Sequence, residues 1–125
     1  MPASEFPEIQ ARLRDMMLAT AGDLDIMRDE PGRLQVYTRH IMKNKQPLYF
    51  GGVVSNKNYV SYHLMPVYVA PEMLMEISPA LKQRMQGKSC FNFLTLDESL
   101  FTELGLLTQK GFESYVSRGY IDLTP

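Results

Sequence analysis

Apolar residues recur at three- and four-residue spacing early in the chain, alternate with polar residues through its middle, and return to helical spacing near its end. The first periodic run is Phe6, Ile9, Leu13, Met16 and Met17, one buried face of a helix. Ser4 suits its N-cap, Pro7 its opening turn, and Gly22 its C-terminal stop. Asp23–Arg33 has no apolar period and reads as a polar connection closed by Pro31-Gly32. Leu34–Met42 is rich in β-branched and aromatic residues and reads as a strand.

The segment Gln46–Met65 reads as a hairpin turning at Ser55–Asn58, with Asn56 and Lys57 at the centre because Asn tolerates positive φ. A two-residue loop sets Val54 opposite Tyr59, Val53 opposite Val60, Gly52 opposite Ser61, Gly51 opposite Tyr62, Phe50 opposite His63 and Tyr49 opposite Leu64. A loop extended through Asn58 is the other reading. Alternation gives one packed face, Tyr49, Val53, Val60, Tyr62 and Leu64, with Gly51 leaving room beneath the Tyr62 ring. The other face is mixed: Phe50, Gly52, Tyr59, Ser61 and His63. Pro66 and Pro71 bracket Val67-Tyr68-Val69, which extends a sheet edge. Pro71–Met85 is helical in two pieces, restarting at Ser78-Pro79 and ending at Gly87. Ser89–Leu94 is a short strand with Phe91 and Phe93 inward and Cys90 and Asn92 on the mixed face. Thr95 or Asp97 caps a last helix, Glu98–Arg118, whose buried stripe is Leu100, Phe101, Leu104, Leu107, Phe112, Tyr115 and Val116. Gly105 and Gly111 mark a close contact or a break in it. The order α-β-β-β-α-β-α predicts a single two-layer α+β domain over 1–125. Its antiparallel sheet of four or five strands is packed by the N- and C-terminal helices.

Composition narrows the function classes. Thirteen basic and 14 acidic residues give a net charge of -1, which offers nothing to a polyanionic nucleic acid. One cysteine, Cys90, excludes an internal disulfide and a cysteine metal cluster. No apolar run approaches a bilayer span, and the N-terminus lacks a signal-peptide pattern, so a cytoplasmic protein without membrane contact is expected. Nine methionines supply gap-filling core or adaptable interface.

The chemistry-bearing residues are sparse. Cys90 reads as a small core filler, or as a nucleophile with His63 as its base on the neighbouring strand and Lys88 near in sequence. His63 and His40 lack metal-ligand spacing. Arg84, Lys88 and Lys57 are anion contacts or simply basic charges near a helix end. Tyr37, Tyr49, Tyr59, Tyr62 and Tyr68, beside Met65 and Pro66, lean toward a contact surface.

Three stretches in order, Lys45–Gly52 (KQPLYFGG), Asn58–Pro66 (NYVSYHLMP) and Lys88–Leu100 (KSCFNFLTLDESL), resemble the YdhG-like family of small bacterial domains, over roughly residues 34 to 118. The resemblance implies an α+β domain with an antiparallel sheet and, for most members, no assigned function. Some relatives are described as frataxin-like iron chaperones with acidic residues on and after the first helix. Here those would be Glu5, Glu8, Asp15, Asp23, Asp25, Asp29 and Glu30. Read as residues, Glu8 pairs with Arg12, and Asp23–Glu30 is a solvated loop.

The expectation is therefore a non-catalytic binding or interaction module. Its pocket comprises Tyr59, His63, Cys90 and Asn92, with Arg84 and Lys88 as anion contacts. It takes an unknown small molecule or protein, a second copy included, and no cofactor or metal is assigned. A frataxin-like iron chaperone is the alternative, and a Cys90/His63 enzyme the lesser one.

Overall fold

The computed structural model describes residues 5–122. The expected Ser4 cap lies outside them. The elements are helix α1 (Phe6–Ala21), strands β1 (Asp25–Glu30), β2 (Arg33–Ile41), β3 (Pro47–Ser55) and β4 (Val60–Leu64), short helices α2 (Pro66–Val69) and α3 (Pro79–Lys82), strands β5 (Met85–Gln86) and β6 (Cys90–Phe93), and helix α4 (Glu98–Ser117). A 3-10 segment, Pro71–Glu76, joins α2 to α3. Six antiparallel strands run in the order β1-β2-β3-β4-β6-β5. The two long helices pack on each other and on one face of this sheet, giving the two-layer α+β fold. No helix among the described residues is long and apolar enough to cross a membrane.

The core lies between helices and sheet. Ile9, Leu13 and Met17 from α1 and Leu104 and Tyr115 from α4 meet Val53, Val60, Tyr62 and Phe91, all fully buried. Phe93 stands edge-on to Phe101 at 5.1 Å, and Phe50 to Tyr115 at 5.8 Å. The inward phenylalanines of β6 are as the alternation predicts, and truncating either costs about 3–5 kcal/mol. Of the apolar stripe on α1, Met16 is only half-buried. On α4, Phe112 and Val116 are partly buried. Asp97 is the N-cap of α4, accepting from the Leu100 N–H at 3.2 Å. Gly111 marks close approach and no break, since a Cβ there would come within 2.9 Å of Pro66.

Several sequence expectations need correction. The hairpin loop holds Asn56–Tyr59, because Asn56 Oδ1 accepts from the Asn58 and Tyr59 amides at 2.8 and 2.9 Å and closes the longer turn. The pairing is therefore Ser55 with Val60, Val54 with Ser61, Val53 with Tyr62, Gly52 with His63 and Gly51 with Leu64. The slip is two residues, so β4 side chains keep their expected faces.

Tyr49 and Phe50 exchange faces. Val36 pairs with Gly51 and Tyr37 with Tyr49, which leaves Phe50 as an extra residue in a bulge. Phe50 turns into the core, and Tyr49 turns out against Tyr37, with ring centroids 5.0 Å apart. Gly51 does not sit beneath the Tyr62 ring. It makes room for Met17, whose Cε would lie 2.6 Å from a Cβ there.

Asp23–Arg33 contains β1, an edge strand whose side chains are mostly exposed, so no apolar period announces it. Its charges and the bulge at Met27 blunt an open sheet edge. Val67-Tyr68-Val69 is helical, with Pro66 at its first position. The restart at Ser78 is as expected, its side chain accepting from the Leu81 amide. That helix ends at Lys82, and Gly87, at φ 78°, instead turns the β5–β6 hairpin.

Candidate functional site

The face of the sheet turned away from α1 and α4 carries two adjoining depressions. One is a hollow of about 200 Å³ lined by Tyr59, Ser61, His63, Gln86, Cys90 and Asn92, with Val54 and Asn56 at its rim. Antiparallel pairing sets His63 beside Cys90 and Ser61 beside Asn92. Paired residues share a face, and His63 Nδ1 and Cys90 Sγ come within 3.1 Å. Asn92 Nδ2 donates to Gln86 Oε1 at 2.6 Å, which ties β6 to the short edge strand.

Burial disfavours the charged form of both His63 and Cys90. Burial holds the His63 imidazole below its ordinary range. Burial also pushes the Cys90 thiol up, opposed in part by hydrogen bonds from Ser89 and Ser61. A nucleophilic cysteine needs the opposite, a pKa brought down by neighbouring positive charge. Lys88 does not supply that charge: its Nζ lies over the Tyr68 ring, 5.9 Å from the centroid. The pair can exchange one hydrogen bond, and it offers a thiol, an imidazole and an amide to an incoming polar group.

Of the six expected pocket residues, Tyr59, His63, Cys90 and Asn92 come together. Arg84 and Lys88 do not line that hollow. Arg84 lines an adjoining recess that shares Tyr59, Gln86 and Asn92 with the hollow, and its carbonyl accepts from the Asn92 amide at 2.7 Å. Lys88 sits in the Gly87 turn just before Cys90, and its ammonium is directed over Tyr68. His40 stacks on Tyr120 at 4.7 Å, away from His63.

The second depression is an apolar groove of about 740 Å³, lined chiefly by Met27, Tyr37, Met42, Tyr49, Met65 and Tyr68. Tyr49 separates the two. Its hydroxyl lies over Gly52, where a Cβ would come within 2.5 Å, and Gly52 pairs with His63. Burial, then the neighbouring Tyr37 and Cys90, hold the Tyr49 phenol above the usual tyrosine range. Alternation alone assigned Tyr49 to the packed face. The signal that corrects it is the paired Gly51-Gly52 within a strand, a mark of bulging and close approach.

The acidic residues considered for iron do not converge. Asp29 accepts from Arg14 at 2.6 and 2.8 Å, Asp25 pairs with Arg39 at 3.2 Å, and Glu30 with Arg28 at 3.6 Å. Arg12 reaches Glu98 on α4 with both terminal nitrogens, not Glu8. Among the described residues no three His, Cys, Asp or Glu side chains are grouped to hold a metal ion. Hard cations require several converging carboxylate oxygens. Against protein-family models, curated proteins and solved structures, the chain finds no match.

Proposed function

We propose that this chain is a non-catalytic binding or interaction module of the YdhG-like kind, working through the open face of its sheet. The observation that carries the reading is the placement, on that face, of the 3.1 Å His63–Cys90 contact beside a tyrosine- and methionine-lined groove. Pockets that bind small molecules combine mostly apolar walls with a few convergent polar groups. Here the two kinds of group stand side by side: the groove offers Tyr37, Tyr49 and Met65, and the hollow across Tyr49 offers His63, Cys90 and Asn92.

The test is a fragment screen read by amide chemical shifts on the isotopically labelled protein. Ligand-dependent shifts at Gly52, Ser61, His63 and Cys90 support the reading. Shifts confined to α1 and α4, or none, overturn it.

The 3.1 Å contact between Cys90 and His63 also fits a second reading, a thiol enzyme with His63 as base. Alkylation by iodoacetamide separates the two. A module with a neutral pair reacts slowly below pH 7 and faster with rising pH, whereas an activated thiolate reacts rapidly at pH 6 and shows a plateau.

A further inference from the structure

From the groove and the charges around it we infer that the open face takes an amphipathic anion: an apolar body, aliphatic or aromatic, bearing one carboxylate. This rests on the open face being the binding surface. None of the residues lining the groove is charged. Its walls pair stiff tyrosine rings with flexible methionines, which shape themselves to an apolar body. At about 740 Å³ it falls in the range of small-molecule sites, about 300–1,000 Å³.

The charge pattern selects the sign of the ligand. Lys43 and Lys45 are exposed in the turn between Met42 and Gln46, both lining residues. Lys88 lies over Tyr68, another lining residue. None of these three lysines has a carboxylate partner within 4 Å among the described residues. The acid opposite a lining residue, Asp25 across from Tyr37, is already held by Arg39. On the helical side Arg12, Arg14, Lys110 and Arg118 each face a carboxylate. Unmatched positive charge at the end of an apolar groove is complementary to a carboxylate head on an apolar tail.

Isothermal calorimetry with dodecanoate and with dodecanol tests this, together with amide shift mapping. Expected are a dodecanoate Kd of order 100 µM or tighter, shifts at Tyr37, Tyr49 and Tyr68, and dodecanol weaker by at least about fivefold. Lys88→Gln weakens dodecanoate about fivefold, while Lys110→Gln on the helical side leaves it unchanged. Both lysines are exposed, and thermal melts check that each variant keeps the fold. Equal affinity for dodecanol, or an unchanged Lys88→Gln, overturns the inference. So does a dimer by light scattering that buries the groove, or binding seen only with phosphatidylglycerol vesicles. Shifts confined to Ser61, His63 and Cys90 remove the anion groove but leave the open face as the binding surface; no shifts on that face remove both.

Discussion

Replacing Gly52 with Ala tests whether the junction between hollow and groove is built as described. The new Cβ would lie 2.3 Å from the Leu34 carbonyl oxygen and 2.5 Å from the Tyr49 hydroxyl. The phenol can swing away. The carbonyl cannot, because Leu34 is fully buried and paired on both sides, with Asp29 and Val53. Overpacking against immobile backbone costs about 1–3 kcal/mol. A loss of about 2 kcal/mol moves a urea midpoint by about 1 M when m is about 2 kcal/mol/M, and lowers Tm by about 8 °C in a domain this size. The chain has no tryptophan, so the transition is followed by circular dichroism. Gly105→Ala is the control. Its Cβ meets Met16, a half-buried flexible side chain, at 3.3 Å and sits within a helix. It should stabilise by about 0.5–1 kcal/mol. A Gly52→Ala protein within about 0.5 kcal/mol of the parent would refute the argument, because so small a change is that of an ordinary unconstrained surface site.

Stability should be level in the middle of the pH range and fall on either side. His63 has a depressed pKa, so below about pH 6.5 the unfolded chain takes up a proton the folded state resists. Cys90 has a raised pKa, so above about pH 8.5 the unfolded chain releases a proton the folded state retains. Neither arm exceeds about 1.4 kcal/mol per pH unit, and urea melts should show His63→Gln flattening the acid arm and Cys90→Ser the alkaline one. In the buried pair of Tyr62 and Thr108, 2.6 Å apart, Thr108 donates to the Leu104 carbonyl and Tyr62 donates to Thr108. Thr108→Val strands a buried donor and should cost about 1–3 kcal/mol, Tyr62→Phe about 1 kcal/mol, and the double variant less than the sum in a mutant cycle. Ser78→Ala removes the cap on α3 and should cost about 1 kcal/mol by thermal melt.

The site was legible where it depends on parity. Phe91 and Phe93 sit two apart, so Cys90 and Asn92 had to share the opposite face, whatever the loop length. The same logic placed His63 correctly although its partner on β3 was misassigned, because the loop closed by Asn56 slips the register by two residues and preserves each side chain's face. Parity fails at a bulge, and the one at Phe50 reversed the Tyr49 assignment and hid the wall between hollow and groove. β1 escaped notice because an exposed edge strand buries no stripe and so carries no period. Lys88 was drawn toward Cys90 by nearness in sequence, and Arg84 was grouped with it as an anion contact. Lys88 stays beside Cys90 in the chain but directs its ammonium over Tyr68, and the pairing of Asn92 with the Arg84 carbonyl holds Arg84 at the recess beyond Tyr59.

The exposed lysines around the groove make binding sensitive to salt in a direction that size and shape alone would not give. The Debye length is about 10 Å at 0.1 M salt and about 3 Å at 1 M. Lys43, Lys45 and Lys88 are exposed, so their attraction for a carboxylate is screened over that interval. The walls formed by Tyr37, Tyr49 and Met65 hold the apolar body by burial, which added salt does not weaken. Dodecanoate should therefore bind several-fold more weakly at 1 M than at 0.1 M sodium chloride, while dodecanol holds its affinity or gains slightly. Two ligands that share a tail then diverge only through the head group. If both weakened together, the groove itself would be changing with salt. If neither changed, the lysines would lie too far from the bound head group to act, and the anion preference would have to be abandoned even with the groove occupied.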